Sequence, residues 1–343
     1  MKVAIITDTH YNFKKGNKVF HDYFEMFYKN IFFPTLEVRN INTVIHLGDV
    51  FDSRKSTDYW SIEWARRVIF DPLKKYNVHA IVGNHDIFYK NTNYINSPHL
   101  LLKDYSNIKV YSKPEEVILG DLKTLFIPWI STDQEKETLD IIESTPCKVA
   151  MGHLELGGFK VLKDYVQEET KFDKKFRKFE KVFSGHYHTR SDDGKVFYIG
   201  NPYQMFWNDY KDERGFIVFD TETLDIEYID NPYEIFKIIY YDEDKLPNDL
   251  SRYKNCIVKL VIKNRTDRNK YEKFFDELHK ENPYELKVIE NVLLKEVFDS
   301  EEFLTTEDTL SLLKKYVDES EIQLNKKKIK NLISTIYQDS FQI

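Results

Sequence analysis

Residues 45–52 read Ile45-His46-Leu47-Gly48-Asp49-Val50-Phe51-Asp52, and residues 80–86 read Ala80-Ile81-Val82-Gly83-Asn84-His85-Asp86. In both, an apolar run of strand character stops at a glycine and is followed at once by Asp or Asn. Related arrangements recur: Lys2–Thr7 leads into Asp8-x-His10, Lys148–Met151 into Gly152-His153, and Lys181–Phe183 into Gly185-His186-x-His188. Short apolar runs bounded in this way read as buried strands. Further strands are readable at Leu122–Ile127, Val196–Ile199 and Phe216–Phe219. Helical spacing lies over Phe20–Phe32 and over Tyr59–Tyr76 (Trp60, Trp64, Val68), with Pro72 expected to kink or end the second helix. Strands alternating with helices predict an α/β layered domain with a mainly parallel central sheet. In such sheets ligands bind beyond the carboxyl ends of the strands. The Asp, Asn and His residues of all five motifs fall at those ends.

Each motif alone is common, because a strand-end Asp is often a helix cap and a buried His is often a hydrogen-bonded core residue. Five delivered to one sheet edge point to a binuclear metal site. Two cations ~3.5–4 Å apart clamp the attacking and leaving oxygens of an in-line phosphoryl displacement. Asp49, with two carboxylate oxygens, is the candidate bridge. Asp8, His10 and His188 are candidates to complete one site, and Asn84, His153 and His186 the other. Mixed imidazole, carboxylate and amide donors suit Mn²⁺ or Fe²⁺ better than a calcium cage. The glycines are expected to let the backbone turn sharply beside the metals. His85 is a candidate catalytic residue that protonates or stabilises the leaving oxygen, with Asp86 orienting its ring.

The rest of the composition bounds the answer. All 11 glycines lie at or before Gly215, and of the ten histidines only His279 lies beyond it. Catalysis is therefore expected in the first two-thirds. Only Cys147 and Cys256 are present, which excludes a disulfide framework and predicts a reducing compartment. No apolar run reaches the ~18 residues of a membrane span, and the N-terminus lacks a signal-peptide pattern. The expectation is a cytoplasmic protein with no membrane partner. A net charge of −7 gives no global steering toward nucleic acid, so DNA contact must rest on local basic groups or metal ions.

At this point the sequence resembles the calcineurin-like metallophosphoesterases, whose motif series D-x-H, G-D-x-x-D, G-N-H-(D/E), G-H and G-H-x-H is complete here. Within them it is similar to the SbcD family of recombination and double-strand-break repair nucleases, particularly those of T4-type tailed phages. The stretches that carry this are IHLGDVFDSRK, IVGNHDIFYKN, Ile127-Pro128-Trp129, FSGHYHT, YIGNPYQ and RGFIVFD. The resemblance spans residues 1 to about 235. It implies a layered α/β fold with central β-sheets, Mn²⁺-dependent cleavage of DNA phosphodiesters with Mg²⁺ as the other metal, and ligands at the positions assigned above. It also implies a catalytic His85, a homodimer, and docking on an SbcC-type coiled-coil ATPase subunit. Many members carry His where this chain has Asp52, which leaves the role of that position open.

The expected domains are 1–235, the metallophosphoesterase nuclease; 236–297, a small α+β capping domain of β-β-α-β order; and 298–343, two amphipathic helices that bind the ATPase partner. For DNA contact, Arg54 and Lys55 and the loop of Lys90, Asn91 and Asn93 follow ligand motifs directly. The basic segment 160–181 reads more readily as a solvated face, and Tyr203, Phe206 and Trp207 as core. The alternative function is a phosphatase or small-molecule or cyclic-nucleotide phosphodiesterase on the same scaffold. Protein phosphatases of the superfamily usually carry Arg-Gly after G-D-x-x-D, where this chain has Ser53-Arg54. A non-catalytic scaffold predicts missing ligands, and none is missing.

Overall fold

The computed structural model describes residues 1–162 and 165–290 and positions 317, 318, 326, 329 and 330. Two compact units divide it. The first comprises 1–205 with 211–235; the second comprises Phe206–Tyr210 with the chain from Phe236.

In the first unit the central β-sheets that the resemblance implies are two six-stranded sheets, where the strand–helix alternation alone suggested one; a two-stranded ribbon, Lys160–Leu162 with Tyr165–Val166, lies beside them in sequence. One runs in the order Ile226–Asp230, Gly215–Asp220, Lys2–Ile6, Thr43–His46, Asn77–Ile81, Ile108–Tyr111. The other runs Ser191–Asp192, Val196–Tyr198, Lys181–Gly185, Val149–His153, Leu122–Ile127, Glu115–Leu119. The first is parallel from Lys2–Ile6 to its Ile108–Tyr111 edge and antiparallel on the other side, whereas the second has a parallel centre and an antiparallel strand at each edge. The reason for two sheets is packing. Val3, Ile5, Ile45 and Ile81 of the first share one apolar layer with Phe126, Val149, Met151 and Phe183 of the second. Burying each such side chain contributes on the order of 1.5–3 kcal/mol. The intervening residues point the other way, toward helices: Leu125, Ala150 and Val182 meet Ile142 of helix Glu135–Ser144. Strands covered on both faces read as continuous apolar runs, which is why the central ones are plain in sequence.

Both helical stretches widen just before a proline, and the second ends at Leu73, one residue past Pro72, as expected. Lys18–Phe27 widens into a π turn over Tyr28–Phe32 before Phe33–Val38, and Tyr59–Ala65 widens over Arg66–Phe70 before Asp71–Leu73. Pro34 and Pro72 sit at the start of the segments that follow, where a missing N–H is tolerated after the wide turn.

In the second unit, strands Phe236–Asp242, Ile257–Asn264 and Glu285–Glu290 form a parallel sheet in sequence order, with helix Arg268–Lys280. The Asp267 carboxylate caps that helix by accepting from the N–H groups of Asn269 and Lys270. Trp207 belongs to this unit and lies on Phe236 at 4.7 Å, whereas Phe206 is 37 % exposed rather than core. The end of the expected capping domain beyond Glu290 and most of the two expected C-terminal helices lie outside the described residues; positions 317, 318, 326, 329 and 330 are helical. Among the described residues no helix is long and apolar enough to cross a membrane.

Candidate metal centre

The carboxyl ends of strands from both sheets converge on one place. Lys2–Ile6, Thr43–His46 and Asn77–Ile81 lead to Asp8 and His10, Asp49, and Asn84 and His85; Val149–His153 and Lys181–Gly185 supply His153, His186 and His188. Getting there strains the chain. Asp8, His10, Asp49 and His186 have φ of 50°, 45°, 54° and 86°, left-handed values that cost a non-glycine residue about 1–3 kcal/mol. Main-chain bonds hold them: Asp8 N–H donates to Gly48 O at 3.0 Å and His10 N–H to Asp49 O at 3.1 Å. The glycines mostly serve close approach rather than turning. A Cβ at Gly83 would lie 2.2 Å from Asp49 Oδ1, and one at Gly185 2.1 Å from Thr7 Oγ1. Gly48 alone among the motif glycines has positive φ, 106°.

The donor atoms form two linked groups. Asp8, His10 and His188 make the first, with His10 Nε2 and His188 Nε2 3.1 Å apart and each within 4 Å of Asp8 Oδ1. Around the second, Asn84 Oδ1 lies 2.9 Å from both His153 Nε2 and His186 Nδ1. Asp49 Oδ2 touches both, 3.8 Å from His10 Nε2 and 3.4 Å from His153 Nε2. Facing imidazole nitrogens and buried carboxylates are the donor set of divalent cations, and the residues fit such ions.

Electrostatics agree. Burial pushes the His186 imidazole down to about 3 and His188 well below its usual value, so both are neutral donors. Burial also disfavours charge on Asp49 and His153, but their mutual attraction outweighs it, holding Asp49 low and His153 up at about 9. His153 Nδ1–H donates to Leu47 O at 2.8 Å and so aims Nε2 at Asp49 and the centre, where a bound cation would displace the proton that the Asp49 pair holds on the metal-free ring.

His85 is half-buried at the edge. Its Nδ1–H donates to the main-chain oxygen of Asp52 at 2.7 Å, and its own N–H donates to Asp49 Oδ1 at 2.7 Å. Asp86 does not orient that ring, contrary to expectation. Its buried carboxylate is occupied by main-chain amides: Val50 and Phe51 donate to Oδ1 at 2.9 and 3.2 Å, and Gly83 to Oδ2 at 2.9 Å. It ties the Asp49 loop to the Asn84 loop. Burial, helped by the charge of Asp49, pushes its carboxyl up to about 7. Asp52 itself turns its carboxylate to His10, with Oδ1 3.4 Å from Nδ1.

Of the DNA-contact candidates, Lys55, Lys90 and Asn91 are exposed and Arg54 is half-buried, its pKa lowered by burial and raised in part by Asp49. Asn93 is a correction. It is wholly buried, and its Nδ2 donates to Trp129 O at 2.7 Å and Ser112 O at 3.3 Å, so it braces a loop and cannot meet a phosphate. In the basic segment, Lys171 and Lys175 pair with Glu135 and Glu143, and Lys178 caps the carbonyls of Ile142, Glu143 and Thr145. Sequence reasoning missed Thr9 and His46, whose Oγ1 and Nε2 meet at 2.9 Å beneath the Asp8 and Asp49 loops. The available signal was polarity: both interrupt apolar strand ends beside ligand motifs.

The fold and this site define a class. The calcineurin-like phosphoesterase family matches residues 1–190, and the chain belongs to it. It is a two-metal phosphodiesterase, a hydrolase. Further along the comparison, the chain is 33 % identical over 281 residues to Exonuclease subunit 1 of Enterobacteria phage T4, an alignment covering 81 % of each protein. That relative supports the SbcD-type nuclease resemblance. A solved structure described as "Structural and Functional Characterization of a Novel Archaeal Phosphodiesterase" is similar at a TM-score of 0.35 and 18 % identity, over 67 % of this chain and all of its own. At that score it adds nothing to the assignment.

Proposed function

We propose that the chain is a Mn²⁺-dependent DNA nuclease, acting as the nuclease subunit of an SbcC–SbcD-like recombination and double-strand-break repair complex. The observation that carries this reading is Asp49 Oδ2, which lies between the two donor groups at 3.8 and 3.4 Å from their histidines. Asp8, His10 and His188 would hold one cation and Asn84, His153 and His186 the other, Asp49 being shared. The mixed donors favour Mn²⁺, with Mg²⁺ second. When bound, the two cations supply Lewis-acid stabilisation of a phosphodiester undergoing in-line displacement.

The remaining work falls to side chains. The Asp52 carbonyl accepts from Nδ1–H and orients the His85 ring, leaving Nε2 for the substrate; with the ring in its doubly protonated form, the Nε2–H would give its proton to the leaving oxygen or stabilise it, leaving the neutral Nδ1–H tautomer. Arg54, Lys55 and Lys90 offer charge to flanking phosphates as positioning contacts. Residues 236–297 act as a cap on the substrate, and 298–343 dock the coiled-coil ATPase; the assembly is a homodimer in the cytoplasm. The relative's designation as an exonuclease subunit supports a complex of this kind.

A labelled DNA duplex incubated with Mn²⁺, beside a His85→Ala control, tests the reading. Cleavage by the wild type and a loss of about 10²–10⁴-fold in the control are expected. Hydrolysis of a small bis-ester with no cleavage of DNA would favour the small-molecule phosphodiesterase instead.

A further inference from the structure

Trp129 is a residue that the metal chemistry does not use. It follows strand Leu122–Ile127 and stands beside the centre, its ring 5.1 Å from that of His186 and 6.2 Å from that of His153. Like His186 it is half-buried, whereas His153 is wholly enclosed. Its position is set by the main chain: its N–H donates to Val82 O at 2.8 Å, and its carbonyl accepts from Asn93 Nδ2 at 2.7 Å and from Ser131 N–H at 2.9 Å. The Val82 bond anchors it to the strand that carries Asn84 and His85. An aromatic plane is thus fixed against the proposed ligands, with part of it facing solvent.

From this geometry we infer that the Trp129 indole is the stacking face for the nucleobase next to the scissile phosphodiester. The inference rests on the nuclease reading and names how that site holds a nucleotide. A phosphate at the metal centre brings the base of its own nucleotide within reach of a neighbouring wall, and a flat apolar wall offers it stacking. Stacking needs no base-edge hydrogen bonds, so the contact is sequence-tolerant. It also favours a strand whose terminal base has left the duplex stack, because a base inside the stack has both faces covered by its neighbours.

The test uses the full-length protein with Mn²⁺ and two short duplexes, one intact and one abasic at the two terminal nucleotides of each strand end. The wild type should cut the intact duplex about 5- to 150-fold faster, the range for loss of one base–aromatic stack. Trp129→Ala should cut the intact duplex at the wild-type abasic rate and lose nothing more on the abasic one, while Trp129→Phe retains part of the advantage. Mn²⁺ stoichiometry by titration calorimetry should be the same in all three proteins. Equal losses by Trp129→Ala on both duplexes, no loss on either, or loss of metal would each overturn the stacking role. A wild type that cuts neither duplex yet hydrolyses bis-p-nitrophenyl phosphate would overturn the nuclease reading beneath it.

Discussion

His85 Nδ1 and the main-chain oxygen of Asp52 lie 2.7 Å apart, while the Asp52 carboxylate faces His10 instead. The ring proposed for the proton chemistry is therefore held by backbone, and the side chain at position 52 is free to differ without moving it. Asp52→Ala should keep both metals and lose less than about tenfold in rate, against about 10²–10⁴-fold for His85→Ala. Rates on labelled duplex with Mn²⁺ check this; equal losses in the two variants would show that the carboxylate, not the carbonyl, sets the ring.

Close approach at Gly83 gives a second expectation. A methyl group there would overlap Asp49 Oδ1 and the Asp49 main-chain nitrogen, 2.2 and 2.3 Å away. Gly83→Ala should lower stability by about 1–3 kcal/mol and weaken metal uptake, since the loop must shift. Gly194→Ala, at φ +84° with open space around it, should show only the backbone penalty and retain activity. Urea midpoints and metal titration compare the two.

His46 predicts a pH effect. It is buried, and its imidazole is pushed down to about 3 by that burial. Gly48 N–H donates to Nδ1 at 3.2 Å, so Nε2 carries the proton and donates to Thr9 Oγ1. Because the folded value is below the unfolded ~6.5, the unfolded chain takes up a proton first as the solution is acidified. The stabilising contribution is whole above about pH 6.5 and shrinks as pH falls toward 3. In metal-free protein the stability gap between wild type and His46→Asn should narrow by about 2 kcal/mol from pH 7.5 to 5. A gap that stays constant or widens would contradict a neutral His46.

Asn93 and Lys90 sit three positions apart and should behave differently. Asn93→Ala removes a buried bridge to Trp129 and Ser112 and should cost about 1–3 kcal/mol of stability, with the salt dependence of DNA binding unchanged. Lys90→Ala or Lys55→Ala should leave stability alone and reduce the slope of log affinity against log salt by about one. Binding isotherms across a salt series separate these outcomes.

These cases show what could be read from sequence. The strand-end motifs were legible because an apolar run ending in Gly and then Asp, Asn or His is a local pattern with a local cause. Edge strands such as Ile108–Tyr111 and Glu115–Leu119 were not, since they are half exposed and carry charge among their apolar residues. The second sheet was hidden for another reason: whether strands join one sheet or stack as two depends on the shared layer between Ile45 and Phe183, which no single segment contains. Asp86 and Asn93 misled because a carboxylate or amide beside a ligand motif serves equally well as a main-chain brace. Only the tertiary partners, Val50 N–H for one and Trp129 O for the other, distinguish the two uses.

The account turns on one carboxylate serving two metals. Metal stoichiometry by calorimetry or elemental analysis, on wild type and on Asp49→Asn, tests it most directly. Two Mn²⁺ per wild-type chain, and at most one in an Asp49→Asn protein that is folded and inactive on DNA, is the predicted result. Retention of both ions by the folded variant would contradict the bridge and the mechanism built on it.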